Sequence, residues 1–181
     1  MKYFKSIILL AVVSILTLTI SCERDDICPD SLPTTPRLII DIFDFNNQEN
    51  KKNVLKLLVA GVDNDFILTD YNIVTADHLI LPLKTDDDIT EYVLLQDASI
   101  NDNGTPDDVS DDFYNGNSDI ITINYNREEK YVSRACGYKT VFKNVTLTIQ
   151  DDGDKWILSQ QPINPNQSVE DETTTHFNIL H

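Results

Sequence analysis

Methionine occurs once in this chain, at the start, and tryptophan once, while histidine and cysteine occur three times each. Only 14 Lys and Arg face 30 Asp and Glu, for a formal charge of −16. So few cations exclude a surface that neutralises phosphates, and with it nucleic acid as a partner. Glycine is scarce as well, at five residues, and there is no Gly-rich phosphate loop, no nucleophile elbow and no HExxH string. His78, His176 and His181 lack metal-ligand spacing. Paired carboxylates in so acidic a chain do not single out a general acid and base. A non-catalytic protein is the expectation, with a hydrolase lacking a recognisable motif as the lesser alternative. Amphipathic helices are missing too: no dozen residues keep an apolar stripe at i, i+3, i+4. Val54-Leu55-Lys56-Leu57-Leu58-Val59 is too short for one, because Gly61 and Asp63-Asn64-Asp65 stop it.

What is present begins with an address. Met1-Lys2-Tyr3-Phe4-Lys5 is a basic head, Ile7 to Ile20 an apolar run, and Ser21 a small residue before Cys22. That is the layout of a secretory signal peptide. The run is too short to span a bilayer, which takes about 20 apolar residues. Leu18-Thr19-Ile20-Ser21-Cys22 resembles the lipobox of bacterial lipoproteins, although Thr19 departs from the usual aliphatic residue. The resemblance implies cleavage before Cys22 and acylation of its side chain, with membrane association through the lipid alone. An ordinary cleaved signal peptide is the rival reading. The expected division is a signal peptide over 1–21, an acidic and Pro-rich tether over 22–36, and one domain over 37–181. Removing the signal takes away Lys2 and Lys5 and leaves 12 Lys and Arg against 30 acids.

With Cys22 assigned to lipid, Cys28 and Cys136 form an even pair outside the reducing cytoplasm, and a disulfide between them is expected. Two free buried thiols are the alternative.

The rest reads as β structure. In Arg37–Phe45 the aliphatic face Leu38, Ile40, Ile42 is the expected core side. Further strands are expected over 54–62, 66–68, 78–83, 90–95, 120–126, 130–134, 138–142, 145–149, 156–158 and 174–179. Lys143-Asn144 and Asp152-Gly153 read as turns, the second as a hairpin. Short antiparallel strands separated by turn residues predict an all-β fold, a single β-sandwich of immunoglobulin-like or similar architecture.

One stretch suggests site chemistry. Ser99-Ile100-Asn101-Asp102-Asn103-Gly104-Thr105-Pro106-Asp107-Asp108-Val109-Ser110-Asp111-Asp112 alternates oxygen-bearing side chains before a glycine, as calcium loops do. Ser99, Asn101, Asn103, Asp107 and Ser110 or Asp111 are the candidate ligands for a weakly held calcium. The frame lacks a closing bidentate Glu, and the same residues serve as turn formers in a solvated loop. Trp156 and the tyrosines Tyr71, Tyr92, Tyr114, Tyr125, Tyr131 and Tyr138 are candidates for a glycan-stacking platform. For Trp156 a core position is the stronger expectation.

Several segments resemble a family of uncharacterised lipoproteins from Bacteroidetes that is known only as a domain of unknown function. They are Cys28-Pro29-Asp30, Thr34-Thr35-Pro36-Arg37-Leu38, Leu81-Pro82-Leu83-Lys84-Thr85, Val132-Ser133-Arg134-Ala135-Cys136-Gly137-Tyr138 and Thr175-His176-Phe177-Asn178-Ile179. The resemblance implies an extracytoplasmic lipoprotein of unassigned activity, in the outer membrane. Glu23-Arg24-Asp25-Asp26 is similar to the acidic stretch that directs some lipoproteins of that group to the cell surface. The expected role is a binding or envelope-interaction module whose partner is an envelope protein or a glycan. A calcium-stabilised glycan-binding accessory protein is the alternative.

Overall fold

In the computed structural model the structure describes residues 27–29, 34–62 and 66–181. The signal peptide, Cys22 and the acidic stretch after it lie outside these residues. Among the described residues nine strands form two sheets. The first has the order β4 (His78–Leu81), β1 (Leu38–Phe43), β9 (Phe177–Leu180), β8 (Ser159–Pro162). The second has the order β3 (Val74–Ala76), β2 (Val54–Gly61), β5 (Ile89–Asn101), β6 (Phe113–Ser133), β7 (Gly137–Ile149).

Period-two patterning accounts for the first sheet. In β1 the expected face is the buried one: Leu38, Ile40 and Ile42 are fully inaccessible. They share one core with Leu79 and Leu81 of β4, Phe177 and Ile179 of β9, and with Leu57, Val59, Leu94, Ile121 and Leu147 of the second sheet. The protein is therefore an all-β, two-sheet sandwich.

Its details differ from the sequence expectation. β5, β6 and β7 run for 13, 21 and 13 residues. In β5 a bulge at Asp97 stands where the expected strand stopped. Asn144 takes a positive φ of 51° inside β7, so Lys143-Asn144 is a kink and not a turn. β1 and β9 pair in parallel, with Ile40 opposite Phe177 and Ile42 opposite Ile179. Asp152-Gly153 does not close a hairpin, because the strands on either side, β7 and β8, belong to different sheets. Trp156-Ile157-Leu158 is not a strand, and β8 follows it. The short strand β3 carried no recognisable pattern.

The bulge in β2 explains why Val54–Val59 imitated a helical turn. Lys56 takes a φ of 47°, and the pairing with β3 shifts between Val54 and Leu57. One extra residue turns Leu55 and Lys56 outward, while Val54 and Leu57 both reach the core.

The chain divides into two compact units. One holds Tyr131–Tyr138 with the described residues 27–29, and the other holds the remaining described residues. Within the first unit, Cys28 and Cys136 are joined by a disulfide with a Cα–Cα distance of 4.8 Å.

Candidate functional site

Past Gln96, β5 and β6 continue as a ribbon. β2 lies against β5 from Tyr92 to Leu95. The β5–β6 ladder runs on, pairing Ser99 with Asn115, Ile100 with Tyr114 and Asn101 with Phe113. A second bulge sets its course: Asp97 has a φ of 54°, and the register shifts between Gln96 and Ser99. Gly116 passes under this bulge, where an added Cβ would lie 2.7 Å from the Gln96 carbonyl oxygen. No other residue fits there without moving backbone.

The candidate calcium ligands all fall on this ribbon, but they are differently employed. Ser99 and Asn101 belong to the ladder. Asn101 Oδ1 accepts the Asn103 backbone N–H at 2.9 Å. Asp111 accepts the Thr105 hydroxyl at 2.8 Å and the Asn103 side-chain amide at 3.2 Å. These donors hold its carboxyl below the usual carboxylate range, the Thr105 hydroxyl first. Asp108 accepts the Ser110 N–H at 3.0 Å and its hydroxyl at 2.6 Å. Asp107 is not joined to them. Among the described residues no three His, Cys, Asp or Glu side chains are grouped to hold a metal. The loop is thus closed by its own donors, with Asn and Asp in their turn-forming roles.

The ribbon tip is apolar and acidic together. Ile100, Val109, Phe113 and Tyr114 are exposed, Val109 by 80%. Between Thr85 and Asn126 there are 11 Asp and Glu and no Lys or Arg.

The expected aromatic platform is not assembled. Tyr71, Tyr92, Tyr125 and Trp156 are buried. The Trp156 indole N–H donates to the Leu94 carbonyl at 3.2 Å, which makes it a core residue. Of the exposed rings, Tyr131 and Tyr138 stack edge to face on each other, with centroids 5.5 Å apart.

Each histidine has a partner in the fold. His78 lies on the edge strand β4 beside Asp77, with 2.8 Å between Nδ1 and Oδ1. His176 is 3% exposed and its Nδ1 accepts the Ile39 backbone N–H. Burial pushes its pKa down, so the ring is neutral with the proton on Nε2. His181 is buried against Trp156, with ring centroids 5.6 Å apart, and is shifted down by burial as well.

Three groups carry electrostatics that sequence reasoning missed. Glu170 is gripped by Lys130 of β6 and Lys143 of β7, and Lys139 donates to its carbonyl at 2.9 Å. Lys130 first, then Lys143, hold its carboxyl down at about 2. Asp119 is 1% exposed; its Oδ2 accepts the Ile157 N–H at 2.6 Å, and burial raises its pKa. Gln167 is buried, accepts the Asn164 N–H and donates to the Ser168 carbonyl. No spacing marks Glu170 or Asp119, because their partners Lys130 and Ile157 lie 40 and 38 positions away.

No curated protein and no solved structure matches the chain. Residues 56–181 match one family model, from the middle of β2 to His181, including Cys136, Glu170 and His176. That match covers well over half of the chain, and the protein belongs to a family of unknown function, DUF6452.

Proposed function

We propose that this protein is a lipid-anchored, extracytoplasmic β-sandwich module that binds a protein of the cell envelope and performs no catalysis. The observation that carries the reading is the Cys28–Cys136 disulfide, 108 residues apart in sequence. Such bridges persist outside the reducing cytoplasm. It stands beside a leader whose Cys22 follows a lipobox-like ending. With Cys22 acylated as the first mature residue, Glu23-Arg24-Asp25-Asp26 follow it as a polar tether. The address is the outer membrane, on its periplasmic face or at the cell surface.

The binding surface in this reading is the β5–β6 ribbon tip. Exposed Ile100, Phe113 and Tyr114 supply apolar area, and the surrounding carboxylates favour a partner whose contact rim is basic. Burial of Trp156, Tyr71, Tyr92 and Tyr125 favours a protein partner over a glycan, since it removes four of the seven candidate rings from any stacking platform. The acidic field also opposes nucleic acid.

Mass spectrometry of the mature N-terminus tests the anchor, where an acylated Cys22 is expected and an unmodified one overturns it. Crosslinking in intact cells from a photoreactive group at Val109 tests the surface. A discrete crosslinked protein that is lost in Phe113→Asp is expected, and crosslinking that persists unchanged in that variant overturns the ribbon as the binding surface.

A further inference from the structure

The disulfide does more than report a compartment. It ties Cys28 to the turn between β6 and β7, and Cys28 is six positions from Cys22. Six residues span at most about 22 Å when fully extended. An acyl group on Cys22 would therefore leash the turn close to the bilayer surface. Without the bridge that turn would be joined to Cys22 only through more than a hundred residues of chain.

The leashed unit has the chemistry of a membrane interface. Tyr131 is 62% exposed and Tyr138 is 65% exposed, on opposite sides of the turn, and Ile27 beside the bridge is 82% exposed. Tyrosine suits the headgroup level, with an apolar ring body and a hydroxyl that stays in water. The segment Tyr131–Tyr138 contains Arg134 and no acid. Residues 127–143 hold five of the mature chain's 12 Lys and Arg against two acids. The remaining mature residues have seven cations against 28 acids. Arg127 pairs with Asp88, and Lys130 and Lys143 with Glu170, so this segment is close to neutral. In a protein otherwise repelled by an anionic headgroup surface, it is the segment least opposed to approaching one.

We propose that the disulfide-bonded β6–β7 turn docks on the lipid bilayer, with Tyr131 and Tyr138 at the headgroup level, as a second membrane contact beside the acyl anchor. This rests on the lipoprotein reading. The two contacts together would hold the disulfide-bonded turn at the membrane surface and leave it less free to swivel on its tether.

The test uses full-length, processed protein in phosphatidylethanolamine–phosphatidylglycerol vesicles, with or without lipids brominated near the glycerol end of the acyl chains. Tyr131→Trp and Tyr138→Trp each introduce one reporter, and wild-type protein, with the buried Trp156, gives the background. Emission from the introduced indole is expected to fall by about half in brominated vesicles, as for an interfacial tryptophan. The loss should vanish when Cys28→Ser and Cys136→Ser are added to Tyr131→Trp. Acylated, folded protein whose emission is equal in both vesicle types overturns the docking. Quenching that survives loss of the disulfide overturns the leash. Protein with an unmodified Cys22 overturns the anchor and this inference together, and mass spectrometry of each sample distinguishes that case.

Discussion

His176 and Ile39 exchange two hydrogen bonds: the His176 backbone N–H donates to the Ile39 carbonyl, and the Ile39 N–H donates to His176 Nδ1, both at 2.9 Å. The pair sits where β9 joins β1 in parallel, just before the Ile40–Phe177 register begins. A parallel pair cannot be set by a tight hairpin turn, so a side-chain clamp at its entry has a clear use. The clamp needs an unprotonated Nδ1.

That requirement gives a pH dependence. The folded pKa of His176 is lowered by burial from its ordinary 6.5. A depressed folded pKa means that the stabilising contribution is present above the unfolded value and lost as pH falls below it, towards the folded pKa. The melting temperature should therefore fall between pH 7 and pH 5. His176→Asn, whose side-chain oxygen can replace Nδ1 as acceptor, should flatten that decline. An identical slope in the variant, measured by calorimetry, would count against the clamp.

Glu170 acts at a more acidic limb. Its carboxyl, held at about 2 by Lys130 and Lys143, contributes stability above the ordinary value of 4.5 that is lost as pH falls through the folded one. The side chain is 35% exposed, so solvent screening keeps this contribution small. Glu170→Gln should lower the melting temperature at pH 7 and reduce the difference between pH 5 and pH 2. Added salt should narrow the gap from wild type at pH 7.

Gly116→Ala should destabilise the sandwich by about 1–3 kcal/mol, because the new methyl meets the Gln96 carbonyl and Leu95 Cγ at 2.7 and 2.9 Å. Gly104→Ala is the comparison: its Cβ would meet nothing within 4 Å, although its φ of 81° still strains an alanine. Urea denaturation should rank Gly116→Ala as the more costly of the two.

Asp119→Ala should cost about 1–3 kcal/mol, since it leaves the buried Ile157 N–H without its acceptor. Asp119→Asn keeps a carbonyl oxygen in place and removes the buried carboxylate. It should be the more stable of the two variants at pH 8, and the reverse order in chemical denaturation would show that the acceptor for the Ile157 N–H is not what the side chain contributes.

Reduction should show what the bridge contributes. The chain-entropy model assigns about 4–5 kcal/mol to a loop of this size, set by the 108-residue separation. Dithiothreitol, or Cys28→Ser with Cys136→Ser, should lower the denaturation midpoint. A thiol assay on oxidised, denatured, acylated protein should find no free cysteine.

Burial of alternate residues made much of this protein legible in one dimension. Leu38, Ile40 and Ile42 announced their own core face, and a chain without helical stripes could only be β. Cys28 and Cys136 were pairable by count once Cys22 was set aside. The bulges at Lys56 and Asp97 and the positive φ of Asn144 inside β7 were not legible, because a single inserted or twisted residue looks like a break in alternation or a turn. The candidate calcium frame was legible only as a pattern of oxygen-bearing residues; that Asn101 accepts the Asn103 N–H, and Asp111 the Thr105 hydroxyl and the Asn103 amide, depends on how the loop folds.

Composition and local pattern thus determined the β class, the acidic surface and the pairing of cysteines, since each depends on residue type or short-range periodicity alone. Tertiary structure decided the parallel β1–β9 pair, the lysine grip on Glu170 and the exposed tyrosines beside the disulfide. Those depend on which distant segments meet, and pairing energy between distant segments leaves no local trace in a chain.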